Sequence, residues 1–145
     1  MEPNIWGPGA WLFLHSVTLN YPDNPTNIQK KQYKDFFYSL VNILPCSKCQ
    51  KNYENHINEY PINFHLNSKE ALSRWLVKIH NMVNKINNKK TLKYKDFISN
   101  MSDIYDQPIK SISYYKKKNK YQMYVIYVLM LTLILLMFLK ITKYL

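Results

Sequence analysis

Cys46 and Cys49 are the only cysteines in the chain, and they stand in one motif, Cys46-Ser47-Lys48-Cys49. Two intervening residues at the start of a helix let such sulfurs close a small, reducible disulfide. A helix N-terminus favours the thiolate, and a neighbouring cation such as Lys48 adds to that effect. The chemistry implied is thiol–disulfide exchange, in which a thiolate attacks one sulfur and the other leaves. The pair alone leaves other readings open. A zinc-binding scaffold would need two more ligands; His56 and His65 are at hand, but their separation misses the short spacing of zinc knuckles. Two buried structural thiols would do no chemistry at all. A thioredoxin-like enzyme would need strand–helix–strand patterning around the motif, and none is present.

Two further pairs stand at helical spacing. Trp11 and His15 lie one turn apart, as do His80 and Asn84. Each residue alone fits a bland role: a core tryptophan, a satisfied half-buried histidine, a solvated asparagine. Angularly, His80 and Asn84 fall beside an apolar stripe rather than on it. Polar groups are thereby placed on the flank of whatever bundle that helix joins.

The elements that must hold these residues read as helices throughout. Ala10, Leu14, Val17 and Tyr21 recur on one face, before Pro22 and Pro25 mark a loop. Tyr33, Phe36, Phe37, Leu40, Val41 and Leu44 form a second stripe, which Pro45 stops. A third helix carries Cys46, Cys49, Tyr53, Ile57 and Tyr60 on one face and ends at Pro61. A fourth opens at Asn67 or Ser68, where Asn67 with Glu70 resembles a capping box. Its core face is Leu72, Trp75, Leu76, Ile79, Val83 and Ile86. A short fifth helix bears Phe97, Ile98, Met101, Ile104 and Tyr105. No stretch sustains strand alternation, so the expected class is all-α: a four-helix bundle plus a short fifth helix.

Composition narrows the function. The formal charge is +11, yet six of the lysines flank the apolar C-terminal segment. Through Lys110 there are 14 basic and 9 acidic residues, leaving +5 for the domain. Arg74 is the sole arginine, and lysine cannot supply the bidentate fork of base readout. We therefore expect no nucleic-acid partner. The only glycines, Gly7 and Gly9, sit near the N-terminus, so neither a phosphate loop nor a dinucleotide fingerprint can be built. A nucleotide cofactor would need a pocket made of side chains.

Met123 to Leu139 carries no charge, and Thr132 is its only polar side chain apart from tyrosine hydroxyls. With Tyr121 and Ile141 it approaches the ~20 residues needed to cross ~30 Å of hydrocarbon. Tyr121, Tyr124, Tyr127 and Tyr144 suit the interface, where Lys140 could snorkel. The expected organisation is a catalytic domain over 1–106, a basic linker over 107–120, a C-terminal transmembrane helix over 121–141 and a short tail over 142–145. More lysines precede the span than follow it, and no signal peptide is visible. Both point to a tail-anchored protein whose domain faces the cytosol.

Taken in order, Trp6-Gly7-Pro8, Trp11 with His15, Tyr21-Pro22-Asp23, Pro45-Cys46-x-x-Cys49, Trp75 and His80-Asn81-Met82-Val83-Asn84 resemble the Erv/ALR family of FAD-linked sulfhydryl oxidases. The likeness extends to its short members in large DNA viruses and runs from about Trp6 to Lys89. It implies FAD as cofactor, with Trp11, His15, His80, Asn81, Asn84 and Lys89 at the contacting positions. It also implies that Cys49 lies against the flavin and that Cys46 meets the substrate. Oxygen would be the electron acceptor, and peroxide the product. Protein thiols, or a separate thioredoxin-like carrier, would be the partners, and the first two helices would form a non-covalent homodimer. No metal site is implied. The positions of a second, structural disulfide in the family are occupied here by Asn58 and Val77. No shuttle cysteine pair is present, so substrate thiols must reach Cys46 directly. The reading of another class is a membrane-tethered helical adaptor without catalysis.

Overall fold

Tryptophan and tyrosine side chains with apolar bodies and polar tips hold the helices in register. Trp75 is fully buried, its indole N–H donating to the Tyr60 carbonyl at 2.9 Å. Tyr53 donates to the Phe37 carbonyl at 3.0 Å, and Tyr21 to the Leu66 carbonyl at 2.9 Å. Each such bond satisfies a buried group that would otherwise cost about 1–3 kcal/mol.

The computed structural model describes the backbone of residues 1–142 and the side chains of 1–106, 120–132 and 140. Helix α1 spans Pro3–Leu19, α2 Asn27–Ile43, α3 Ser47–Glu59, α4 Lys69–Ile86 and α5 Tyr94–Thr142, with one 3₁₀ turn at Ile62–His65. Among the described residues there is no strand. The first compact unit is Met1–Phe97 and the second Ile98–Leu145. In the first, α4 packs against α1, α3 and the 3₁₀ turn, and α2 packs against α3. Its stripe of Leu72, Trp75, Leu76 and Ile79 is wholly buried. Phe37, Ile57, Ile62 and Leu66 close on it to form the core.

Several local expectations are corrected. Helix α1 begins at Pro3, not near Ala10, because Pro3 sits in the first turn, where its missing N–H costs nothing. Pro8 lies inside that helix and, lacking an N–H, makes no bond back to the turn before it. The capping box lies on α2, where the Thr26 side chain accepts from the Gln29 N–H and Gln29 returns to the Thr26 N–H. At α4 it is Ser68 that caps, accepting from the Ala71 N–H at 3.1 Å. Asn67 instead accepts from Lys30. The positions matching the second disulfide differ in setting, for Val77 is buried and Asn58 exposed.

In the second unit, the backbone of 107–120, expected as a linker, is helical and continuous with α5. Apart from Pro108 it contains no helix breaker. Tyr121 and the residues from Met123 to Leu131 are exposed. The side chains of 107–119, 133–139 and 141 lie outside the described residues, and with them part of the expected span. Among the described residues no helix is long and apolar enough to cross a membrane.

Candidate FAD and disulfide site

Helix α3 starts on a sulfur. Cys46 is its N-cap, with extended backbone, and its Sγ accepts from the Cys49 N–H at 3.2 Å. Cys46 and Cys49 form a disulfide with their Cα atoms 5.1 Å apart, inside the usual range for such a bond. The approach to Cys46 is held from the next turn. Gln50 Nε2 donates to the carbonyls of Asn42 and Leu44, at 3.1 and 2.9 Å, and the Cys46 N–H donates to Leu44 at 2.8 Å. These bonds satisfy carbonyls left open where α2 ends. Among the described residues no group of three or more His, Cys, Asp or Glu could hold a metal ion.

Both cysteines line a cleft of about 530 Å³ between α1, α3 and α4. That volume falls in the ~300–1,000 Å³ range of small-molecule and cofactor sites. Its walls include Trp6, Trp11, Leu14, Tyr53 and Val83, with Lys48, Asn52, His80, Asn84, Asn87 and Lys89 as polar groups. Trp11 and His80 stack at 3.9 Å between ring centroids and only 5° between planes. Trp6 carries a buried indole N–H with no protein partner. Apolar walls, stacked planar rings, amides and two lysine ammonium groups make a donor set that fits a large, flat, anionic cofactor.

Behind the stacked pair, His15 is buried, with its Nε2 3.0 Å from His80 Nδ1. Burial lowers the His15 pKa to about 3, helped by His80. Burial also lowers the His80 pKa to about 4, helped by the Lys89 charge. Both rings are therefore neutral at pH 7, so one donates and the other accepts. His15 Nδ1 is buried without a partner. A buried lone pair is tolerated more often than an orphaned N–H, which favours the tautomer with His15 Nε2–H donating to His80. His80 then carries its own proton on Nε2. Phe97 packs against the His15 ring at 4.6 Å and completes this layer.

Of the residues singled out in the sequence, Cys46, Cys49, Trp11, His80, Asn84 and Lys89 come together on the cleft. His15 stands one layer behind, touching both Trp11 and His80. Asn81 faces away from the cleft, with its amide paired to the backbone of Leu92. Trp6, Asn52, Tyr53 and Asn87 are wall residues that sequence reasoning did not assign to the site. A signal existed for Asn52 and Tyr53, which follow Cys49 by one helical turn.

Residues 8–103 match the Erv1/Alr family. The chain belongs to the Erv1/Alr family. It is 46% identical over 99 residues to a protein of Acanthamoeba polyphaga mimivirus named probable FAD-linked sulfhydryl oxidase R368, covering 68% of this chain and 69% of that one. An FAD-linked sulfhydryl oxidase of African swine fever virus is 30% identical over 112 residues, which are 77% of this chain and 89% of the relative. The mitochondrial FAD-linked sulfhydryl oxidase ERV1 of Saccharomyces cerevisiae is 40% identical over 79 residues, 41% of its length. The solved FAD binding domain of yeast Erv1 superposes with a TM-score of 0.66 at 34% identity, covering 71% of this chain and 96% of that domain. The Erv1/Alr match covers the disulfide and every cleft residue named above except Trp6.

Proposed function

We propose that this Erv1/Alr chain oxidises protein thiols to disulfides through Cys46 and Cys49, with FAD held in the adjoining cleft. It is an FAD-linked sulfhydryl oxidase, as its relatives are named. The observation that carries the reading is the opening of one disulfide onto the same cleft as the stacked Trp11–His80 pair.

In the proposed cycle a substrate thiolate attacks Cys46 Sγ, the S–S bond breaks, and Cys49 leaves as a thiolate. A second substrate thiol then attacks the mixed disulfide. The substrate departs oxidised, and Cys46 and Cys49 hold its two electrons. Position supports these roles, since Cys46 is the cap at the helix mouth and Cys49 lies in its first turn. Bound FAD supplies a two-electron acceptor that relays the pair from the dithiol to oxygen, with peroxide as product. Trp11, His80, Asn84 and Lys89 would hold it, with His15 setting the His80 tautomer from behind. Substrates reach Cys46 directly or through a thioredoxin-like carrier.

A homodimer through the first helices is part of the proposal. Ile5, Leu12 and Phe13 of α1 are exposed, and Phe13 meets Phe36 of α2 edge-on at 6.3 Å. Such an apolar surface suits a self-complementary contact. The purified chain is expected to be yellow, with about one FAD per chain, to consume oxygen with a small dithiol, and to scatter light as a dimer. A colourless, folded chain that stays inactive with added FAD would overturn the assignment.

The membrane anchor is likewise proposed, over 121–141, with the catalytic domain on the cytosolic face of a host or virion membrane. The uncharged run Met123–Leu139 supports it, as do the exposed apolar side chains up to Leu131. Tethering would concentrate the oxidase near membrane-bound thiols. In intact vesicles, protease added from the cytosolic side should cut near Lys116–Lys120 and release the flavin domain. Protection of that domain until detergent is added would place it on the other side.

A further inference from the structure

Lys89 lines the cleft, yet it belongs to no helix or strand, and something must hold its backbone there. The α4 terminus holds one side. Asn87 N–H donates to the Val83 carbonyl at 3.1 Å, and Asn88 N–H to Lys85 at 3.2 Å. Asn88 takes the left-handed conformation at φ 53°, a common way for asparagine to end a helix. Lys89 N–H then returns to the Asn84 carbonyl at 2.7 Å.

The other side is held by Asn81. Its Nδ2 donates to the Leu92 carbonyl at 2.9 Å, and its Oδ1 accepts from the Leu92 N–H at 2.8 Å. A side-chain amide thereby satisfies both polar groups of one residue, using a donor and an acceptor in a fixed plane. Two residues on, the Tyr94 hydroxyl meets Ser73 Oγ at 2.7 Å, and the Arg74 guanidinium covers its ring at 3.9 Å. Residues 89–92 are thus a strap with both ends fastened to α4. The neighbours His80 and Asn84 face the cleft, while Asn81 is committed to the strap.

We propose that Asn81 is a positioning residue for the cofactor: it pins the 89–92 strap and so holds Lys89 where its ammonium meets the diphosphate of FAD. The proposal rests on the FAD reading of the cleft. A lysine on an unfastened segment loses more conformational freedom on meeting a ligand, so its contact is weaker. Asn81 acts on affinity through Lys89, without touching the cofactor.

The test is flavin titration of the full chain carrying Asn81→Ala, Lys89→Ala or both, with FAD and with riboflavin, which lacks the phosphates. Each single change is expected to weaken FAD about tenfold, the scale of one or two hydrogen bonds. The double variant should bind no worse than the weaker single, since both remove one interaction. Riboflavin binding should match the parent chain in all three. Asn81→Asp preserves shape but loses the donor to Leu92, and it serves the same comparison if Asn81→Ala does not fold. Additive losses, undiminished FAD affinity in the Asn81 variants, or equal loss of both flavins would each overturn the proposal. A parent chain that binds neither flavin would reject the FAD reading itself. A parent that binds FAD while the Asn81 variants bind it equally well rejects only the strap.

Discussion

Replacing Cys49 by serine is expected to cut thiol oxidation by about 10³-fold or more, the scale seen when a covalent catalytic group is removed. A serine cannot close a disulfide with Cys46, so no substrate thiol finds a bond to attack. The FAD content should stay near the parent value, since the Trp11–His80 stack and the lysines are untouched. Cys46→Ser is expected to lose turnover equally but to differ in spectrum. It leaves Cys49 alone beside the cofactor, and a thiolate against the oxidised ring produces a long-wavelength absorbance band. Anaerobic mixing with a dithiol, followed by absorbance, reads both variants. The band appearing in Cys49→Ser instead would exchange the roles of the two sulfurs.

The second large effect is on stability. Trp75→Ala is expected to cost about 3–5 kcal/mol, the range for emptying a large aromatic site in a core. Trp75 is fully buried, packs edge-on against Phe37 at 5.0 Å and donates to the Tyr60 carbonyl. Its removal opens a cavity where α4 meets α2 and α3, and it orphans that carbonyl. Whole domains have only about 5–15 kcal/mol in hand, so the variant should be largely unfolded on modest heating. Trp11→Ala is the contrast. Trp11 is half-buried at the cleft, so its loss should remove FAD binding before it removes the fold. Denaturant unfolding of both variants separates the two tryptophans. A loss of less than about 1 kcal/mol for Trp75→Ala would mean that α4 is not held as described.

The main helices were legible because burial follows a 3.6-residue period. Phe37 and Leu40 on α2, and Leu72, Trp75, Leu76 and Ile79 on α4, are the buried members of stripes visible in the residue order. The disulfide motif was equally visible, since its chemistry depends on a spacing of three within one helix turn. Helix ends were harder. The apolar face read from the sequence starts at Ala10, yet α1 begins at Pro3 and runs through Gly7, Pro8 and Gly9. Packing of α1 on α4 outweighs local propensities of about 1–3 kcal/mol.

The pairings that make the site belong to the folded chain alone. His15 and His80 stand 65 residues apart, and nothing in their spacing foretells a 3.0 Å contact or two neutral rings. The residue order offered Asn81 and His80 as equivalent members of one motif. Helix rotation sends His80 into the cleft and Asn81 to the strap, because successive residues on a helix point about 100° apart. Chemistry confined to one turn can be read from residue types and spacing. A cleft lined from α1, α3, α4 and the strap exists only after the core has set the angles between them.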